Sequence, residues 1–256
     1  MSAESMLRIE GLRKNYGAVA ALQGVDIEVR RGEVMGLIGP NGSGKSTLFD
    51  CCTGLQRSDA GRVLLKGVDI TGWPMNRIAR EGRFLRSFQK TVVFPTLDSE
   101  ENLVLAGQMS RFPNVLSTFW VGPSARKRIQ ALRERAKELI EVTGLARVAH
   151  LPAGNMSGGQ QKLLQFASML MPEPELILLD EPLAGINPVL IEKVIQCIEH
   201  ANQKLGVTFV VIEHNTDVLM NLSHRVVVLH QGAKLADATP EEVVRNPEVI
   251  EAYLGG

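Results

Sequence analysis

The sequence predicts an α/β fold with a central sheet covered by helices, and three observations carry that reading. Short runs rich in Val, Ile and Leu alternate with helical patterns through much of the 256 residues. The runs Val34–Ile38, Leu176–Asp180 and Thr208–Ile212 are apolar on both faces, as a sheet buried on both sides requires. From about Arg77 to Asn155 there is almost no strand pattern, so this stretch reads as a helical subdomain inserted into the core. The expected division is a core of about 1–88 and 156–256, with the helical subdomain at about 89–155.

The elements follow in chain order. Leu7–Glu10 and Val25–Val29 alternate apolar and polar residues with turn residues between them, which predicts an antiparallel edge. After the strand Val34–Ile38, residues Leu48, Cys51, Cys52 and Leu55 fall on an i, i+3, i+4, i+7 stripe. That stripe is a core-facing helix surface, and it makes the two cysteines packing residues rather than ligands. Val63–Lys66 is a further strand. The basic series Arg77, Arg80, Arg83 and Arg86 reads as a solvated face near a domain junction, with an anion site as the alternative. In the insert, Ile129, Leu132, Ala136, Leu139 and Ile140 form a helical stripe. The apolar, Pro-interrupted stretch 112–120 packs locally within the insert, with a partner-facing surface as the alternative. Leu163, Leu164, Ala167, Leu170 and Met171 mark another helix, and Val226–Leu229 another strand. Thr239-Pro240-Glu241-Glu242 offers an N-cap, a Pro at the first helical position and an acid at the third; Asn246-Pro247-Glu248 starts a last helix.

Bulk properties exclude several functions. Lys plus Arg and Asp plus Glu are both 28, so the formal net charge is zero and no nucleic-acid partner is expected. No segment has the roughly 18 consecutive apolar residues of a membrane span. The N-terminus lacks the basic and apolar regions of a signal peptide. Three cysteines make no disulfide framework and fit a reducing, cytosolic setting.

Two segments carry the chemistry. Gly39-Pro40-Asn41-Gly42-Ser43-Gly44-Lys45-Ser46 follows a strand and opens the helix that continues through Thr47. Glycines at 39, 42 and 44 let successive N–H groups curl into one concavity, and the helix terminus adds a positive dipole end. Lys45 can reach the β- and γ-phosphates of a nucleotide, and the Ser46 hydroxyl can join a Mg²⁺ shell. This is the P-loop of a nucleoside triphosphatase, which makes the fold a P-loop NTPase (RecA-like) core. The second segment is the apolar strand Leu176–Asp180 ending in two acids. Asp180 is placed to hold Mg²⁺, and Glu181 to orient and polarise the attacking water.

Met156-Ser157-Gly158-Gly159-Gln160 opens a helix with an N-cap Ser and two glycines, a second terminus suited to phosphate. Here the sequence resembles the nucleotide-binding subunit of ABC transporters. The resemblance runs from roughly Leu7 to Leu254. It implies that Ser157, Gly158, Gly159 and Gln160 close over the ATP held by the opposite subunit of a head-to-tail dimer. It further implies that Tyr16 stacks on adenine, and that Gln89 touches Mg²⁺ and the γ-phosphate. The loop 184–188 would cross the dimer interface and His214 would contact the γ-phosphate. The sequence departs from the family pattern at Asn187, where Asp is usual, and at Met156, where Leu is usual. Neither departure removes a catalytic group.

Gly185-Ile186-Asn187-Pro188, Ile212-Glu213-His214-Asn215 and the run from Asn246 to Gly255 are similar to ATPase subunits of branched-chain amino acid importers. Subunits of urea or amide importers and of lipopolysaccharide exporters are the alternatives. The implied partners are a second ATPase subunit, identical or a paralogue, membrane permease subunits and, indirectly, a substrate-binding protein. The implied location is peripheral, on the cytoplasmic face of the membrane. A soluble ABC ATPase of DNA repair would need a long coiled coil, and one of translation two ATPase domains. An ordinary P-loop kinase would not account for Ser157–Gln160.

Overall fold

The structure is a computed structural model that describes residues 4–87, 92–111 and 123–254. The chain divides into two compact units, one of 1–87, 175–181 and 202–256 and one of 88–174 and 182–201.

The first unit holds two sheets. In the larger, strands lie in the order β10-β9-β3-β8-β7-β6, formed by Ala233–Ala238, Arg225–His230, Val34–Ile38, Thr208–Ile212, Leu176–Asp180 and Phe84–Arg86. All neighbours are parallel except the β9–β10 hairpin. Every residue of β3, β7 and β8 is buried, as their apolar sequences require. The smaller sheet is antiparallel, in the order β2-β1-β4-β5, from Val19–Arg30, Ser5–Tyr16, Ala60–Leu65 and Val68–Asp69. Its alternating strands turn Leu7, Ile9, Ile27 and Val29 inward, where they meet Met35, Leu37, Phe49, Cys52 and Leu178 in one apolar core. Helices α1 (Lys45–Cys52), α2 (Met75–Glu81), α7 (Thr216–Leu222), α8 (Pro240–Arg245) and α9 (Pro247–Leu254) complete this unit.

The second unit has helices and turns but no strand among its described residues. It contains α3 (Ser99–Arg111), α4 (Pro123–Val142), a 3₁₀ turn at Ala153–Asn155, α5 (Gly158–Leu170) and most of α6 (Pro188–Leu205). Helices α3, α4 and α5 pack on one another. In α4, Leu132, Ala136, Leu139 and Ile140 are buried and Ile129 half-buried, the stripe read from the sequence. This unit takes in 156–174 and 182–201, which the sequence reading assigned to the core. The reason is packing: α5 lies on α3, and the Cys197 thiol of α6 donates to the Val142 carbonyl of α4 at 3.7 Å.

One helix expectation is corrected. α1 ends at Cys52, two residues before Gly54 at φ +73°, so Leu55 lies beyond the helix and is 49% exposed. Leu48, Cys51 and Cys52 are buried as expected. The stretch 112–120 lies outside the described residues.

Candidate active site

The phosphate loop is built by β3 running into α1. The loop reaches α1 through Gly44, its N-cap, at φ +101°. A Cβ on Gly44 would lie 2.5 Å from the Ala21 carbonyl oxygen, and one on Gly39 (φ +153°) only 2.1 Å from that of Leu229. Backbone from neighbouring strands thus presses against the loop at both ends, and only glycine fits. Lys45 is folded back into the concavity, where its ammonium donates to the carbonyls of Gly39 at 2.6 Å and Pro40 at 3.0 Å. Burial pulls the Lys45 pKa down, partly offset by the charges of Glu181 and Asp180.

A cleft of about 400 Å³ opens over the loop. It is lined by 41–47, Tyr16, Glu181, His214 and Gln231, along with Val19, Ala20, Ala21, Gln23 and Ile212. Tyr16 ends β1 and is 45% exposed. The cleft size suits a small ligand, and the helix N-terminus and ammonium beside it are groups that suit an anion such as phosphate. The structure therefore brings Tyr16, the loop, Glu181 and His214 to one place.

Glu181 follows β7 directly. Its N–H donates to the Ile212 carbonyl at 2.9 Å and its φ is +50°, unusual for a residue with a side chain. This turn aims the carboxylate at His214, whose Nε2 lies 2.9 Å from Glu181 Oε1. His214 is carried at the end of β8, and the next residue, Asn215, caps α7 by accepting the Val218 N–H.

Asp180 does not line the cleft surface; it is buried, and its carboxylate Oδ2 accepts from Arg86 Nη2 at 2.8 Å. The other arm of the Arg86 guanidinium pairs with Asp50 on α1. Arg86 was expected on a solvated face with Arg77, Arg80 and Arg83. Instead it closes β6, and its side chain is 8% exposed, because parallel pairing with β7 points it at two carboxylates. Arg77, Arg80 and Arg83 are exposed as expected, and Arg77 and Arg83 have acid partners at Glu81 and Glu175. Sequence reasoning missed both Arg86 and Asp50. The signal available was an acid one helical turn after Ser46.

The Ser157 terminus belongs to the second unit and forms a capping box. Ser157 Oγ accepts the Gln160 N–H at 3.3 Å, and Gln160 Oε1 accepts the Ser157 N–H at 2.9 Å. Gly158 carries nothing within 4 Å of a notional Cβ, so this terminus is open to an approaching ligand. Gln89 lies outside the described residues.

Comparison with known proteins agrees with this geometry. The family model "ABC transporter" matches residues 22–184, and the model "Branched-chain amino acid ATP-binding cassette transporter" matches 233–256. The high-affinity branched-chain amino acid transport ATP-binding protein BraF of Pseudomonas aeruginosa is 37% identical over 250 residues, covering 98% of both chains. Its Escherichia coli K12 counterpart in name, LivG, is 35% identical over 253 residues, covering 99% of both. The crystal structure of the ADP conformation of MJ1267, an ATP-binding cassette of an ABC transporter, matches with TM-score 0.83. Its sequence identity is 32%, and the match covers 98% of this chain and 99% of that one. A family model that spans the phosphate loop and the acidic strand end alike, together with relatives alignable from end to end, makes this chain a member of the ABC transporter family, among its ATP-binding subunits.

Proposed function

We propose that the chain hydrolyses ATP in a site completed by a second ATPase subunit, and that this powers a membrane permease importing branched-chain amino acids. The observation that carries the reading is the convergence of Lys45, Glu181 and His214 on the phosphate loop within one cleft. Full-length similarity to BraF and LivG and the match at 233–256 support the amino acid substrate.

The residues divide the work. Tyr16, exposed at the cleft mouth, stacks its ring on adenine. Loop N–H groups and Lys45 take the phosphates, Lys45 exchanging its bonds to Gly39 and Pro40 for phosphate oxygens. The Ser46 hydroxyl and Asp180 carboxylate are the kind of sparse oxygen set that Mg²⁺ accepts when phosphates and waters complete its shell. No cluster of three or more His, Cys, Asp or Glu among the described residues forms an all-protein cage, which agrees with a metal arriving with nucleotide. When bound, Mg²⁺ neutralises charge on the β- and γ-oxygens. Glu181 accepts a proton from water as the water oxygen attacks the γ-phosphorus. The bond from phosphorus to the β–γ bridging oxygen then breaks and ADP leaves with that electron pair. His214 positions Glu181 and meets the γ-phosphate.

The Ser157–Gln160 terminus of a second copy, or its counterpart in a paralogue, closes the other side of the γ-phosphate. ATP then holds the two subunits together and hydrolysis releases them. No helix among the described residues is long and apolar enough to cross a membrane, so transport needs a permease partner, with this chain held peripherally at its cytoplasmic face. Glu181→Gln tests the cycle: it binds ATP with little turnover and elutes as a dimer in size-exclusion chromatography with ATP. A variant that stays monomeric at saturating ATP, alone and with its paralogue, defeats the reading.

A further inference from the structure

We propose that Arg86 is a positioning residue for the magnesium site: it clamps Asp180 to α1 and so sets the spacing between Asp180 and Ser46. The inference rests on the reading of those two residues as the metal's protein donors. Asp180 ends β7, Asp50 lies one helical turn after Ser46 on α1, and the Arg86 guanidinium joins both carboxylates. The Arg86 and Asp180 side chains are only 8% and 7% exposed, and Asp50 is 23% exposed, so the triad is largely removed from solvent. In that setting each charge depends on its partners, and the geometry is held firmly. Arg86 also sits over the Phe49 ring at 5.5 Å, which limits how the guanidinium plane can turn.

The fork matters more than the charge. Nη1 serves Asp50 and Nη2 serves Asp180, so a planar group with fixed N–N spacing links strand to helix. An ammonium has no such fork. Arg86 Nη2 engages Asp180 through Oδ2, one of the two carboxylate oxygens. The Asp180 backbone is fixed as well, since its N–H donates to Ser87 Oγ at 2.9 Å, one residue after Arg86. Changing a partner that orients a metal's donors typically costs about 10–100-fold in metal affinity.

The test reads binding rather than turnover. Full-length protein is titrated with a fluorescent ADP analogue at varied Mg²⁺ and again in EDTA, for wild type, Arg86→Lys, Asp50→Asn and, as reference, Asp180→Asn. Arg86→Lys should raise the half-saturating Mg²⁺ about tenfold, with affinity in EDTA changed less than about twofold, and Asp50→Asn should move in the same direction by less. If Asp180→Asn leaves the Mg²⁺ dependence as in wild type, the donor reading falls and the clamp with it. If Asp180→Asn shifts it while folded Arg86→Lys and Asp50→Asn do not, the clamp alone is overturned. A lower Mg²⁺ requirement in Arg86→Lys overturns it too, because Arg86 would then be a competing cation. Equal loss with and without Mg²⁺ would mark a purely structural role. Where Arg86→Lys does not fold, Asp50→Asn decides.

Discussion

Glu181 is held at φ +50° with its carboxylate against His214, and the backbone there costs about 1–3 kcal/mol relative to a relaxed residue. Strain and hydrogen bond together fix the carboxylate over the phosphate loop. His214→Ala should therefore lower ATP turnover about a hundredfold through loss of that positioning, with a smaller loss of ATP affinity from its γ-phosphate contact. Single-turnover hydrolysis beside an equilibrium titration separates the two. The cysteines make a second residue-scale case. Burial pushes the Cys51 and Cys197 thiols up to about 11, and Cys52 higher still. Their folded values exceed the unfolded ones, so their contribution is full below pH 9 and is lost as pH rises through 11. Urea midpoints should fall between pH 8 and pH 10.5, and less steeply in Cys51→Ala; parallel curves for variant and wild type would rule this out. A thiol reagent should also react slowly with the native protein at neutral pH.

At the scale of elements, α5 begins at a capping box, and Ser157→Ala removes one side of it. The expected loss is about 1 kcal/mol in urea unfolding, together with a fall in ATP-dependent dimer formation that the helix loss alone would not produce. Elements also explain what the sequence disclosed. Strands β3, β7 and β8 were legible because burial on both faces demands an unbroken apolar run. The edge strand β10 was not, since no residue of Ala233 to Ala238 is buried and the run carries Lys and Asp. Arg86 was misread for a related reason. Its i+3 spacing from Arg83 resembles a solvated helix face, whereas strand pairing with β7 turns it inward to two acids distant in sequence. The phosphate loop and Glu181 were legible because local chain geometry dictates their residues. The Asp50–Arg86–Asp180 triad is tertiary, and its one local sign, an acid a helical turn after Ser46, does not name the partners.

For the whole molecule, the import reading makes a further prediction. Reconstituted in vesicles with its permease and paired ATPase subunit, the chain should show ATPase activity that rises with leucine-loaded binding protein. An unchanged rate with leucine, alongside stimulation by another amide or by urea, would move the substrate elsewhere. The resting contact between Glu181 and His214 bears on life before assembly. A newly made monomer already holds its water-activating carboxylate in place through its own histidine, but faces no second terminus to close over the γ-phosphate. A lone monomer therefore binds fuel without burning it until a second subunit meets it.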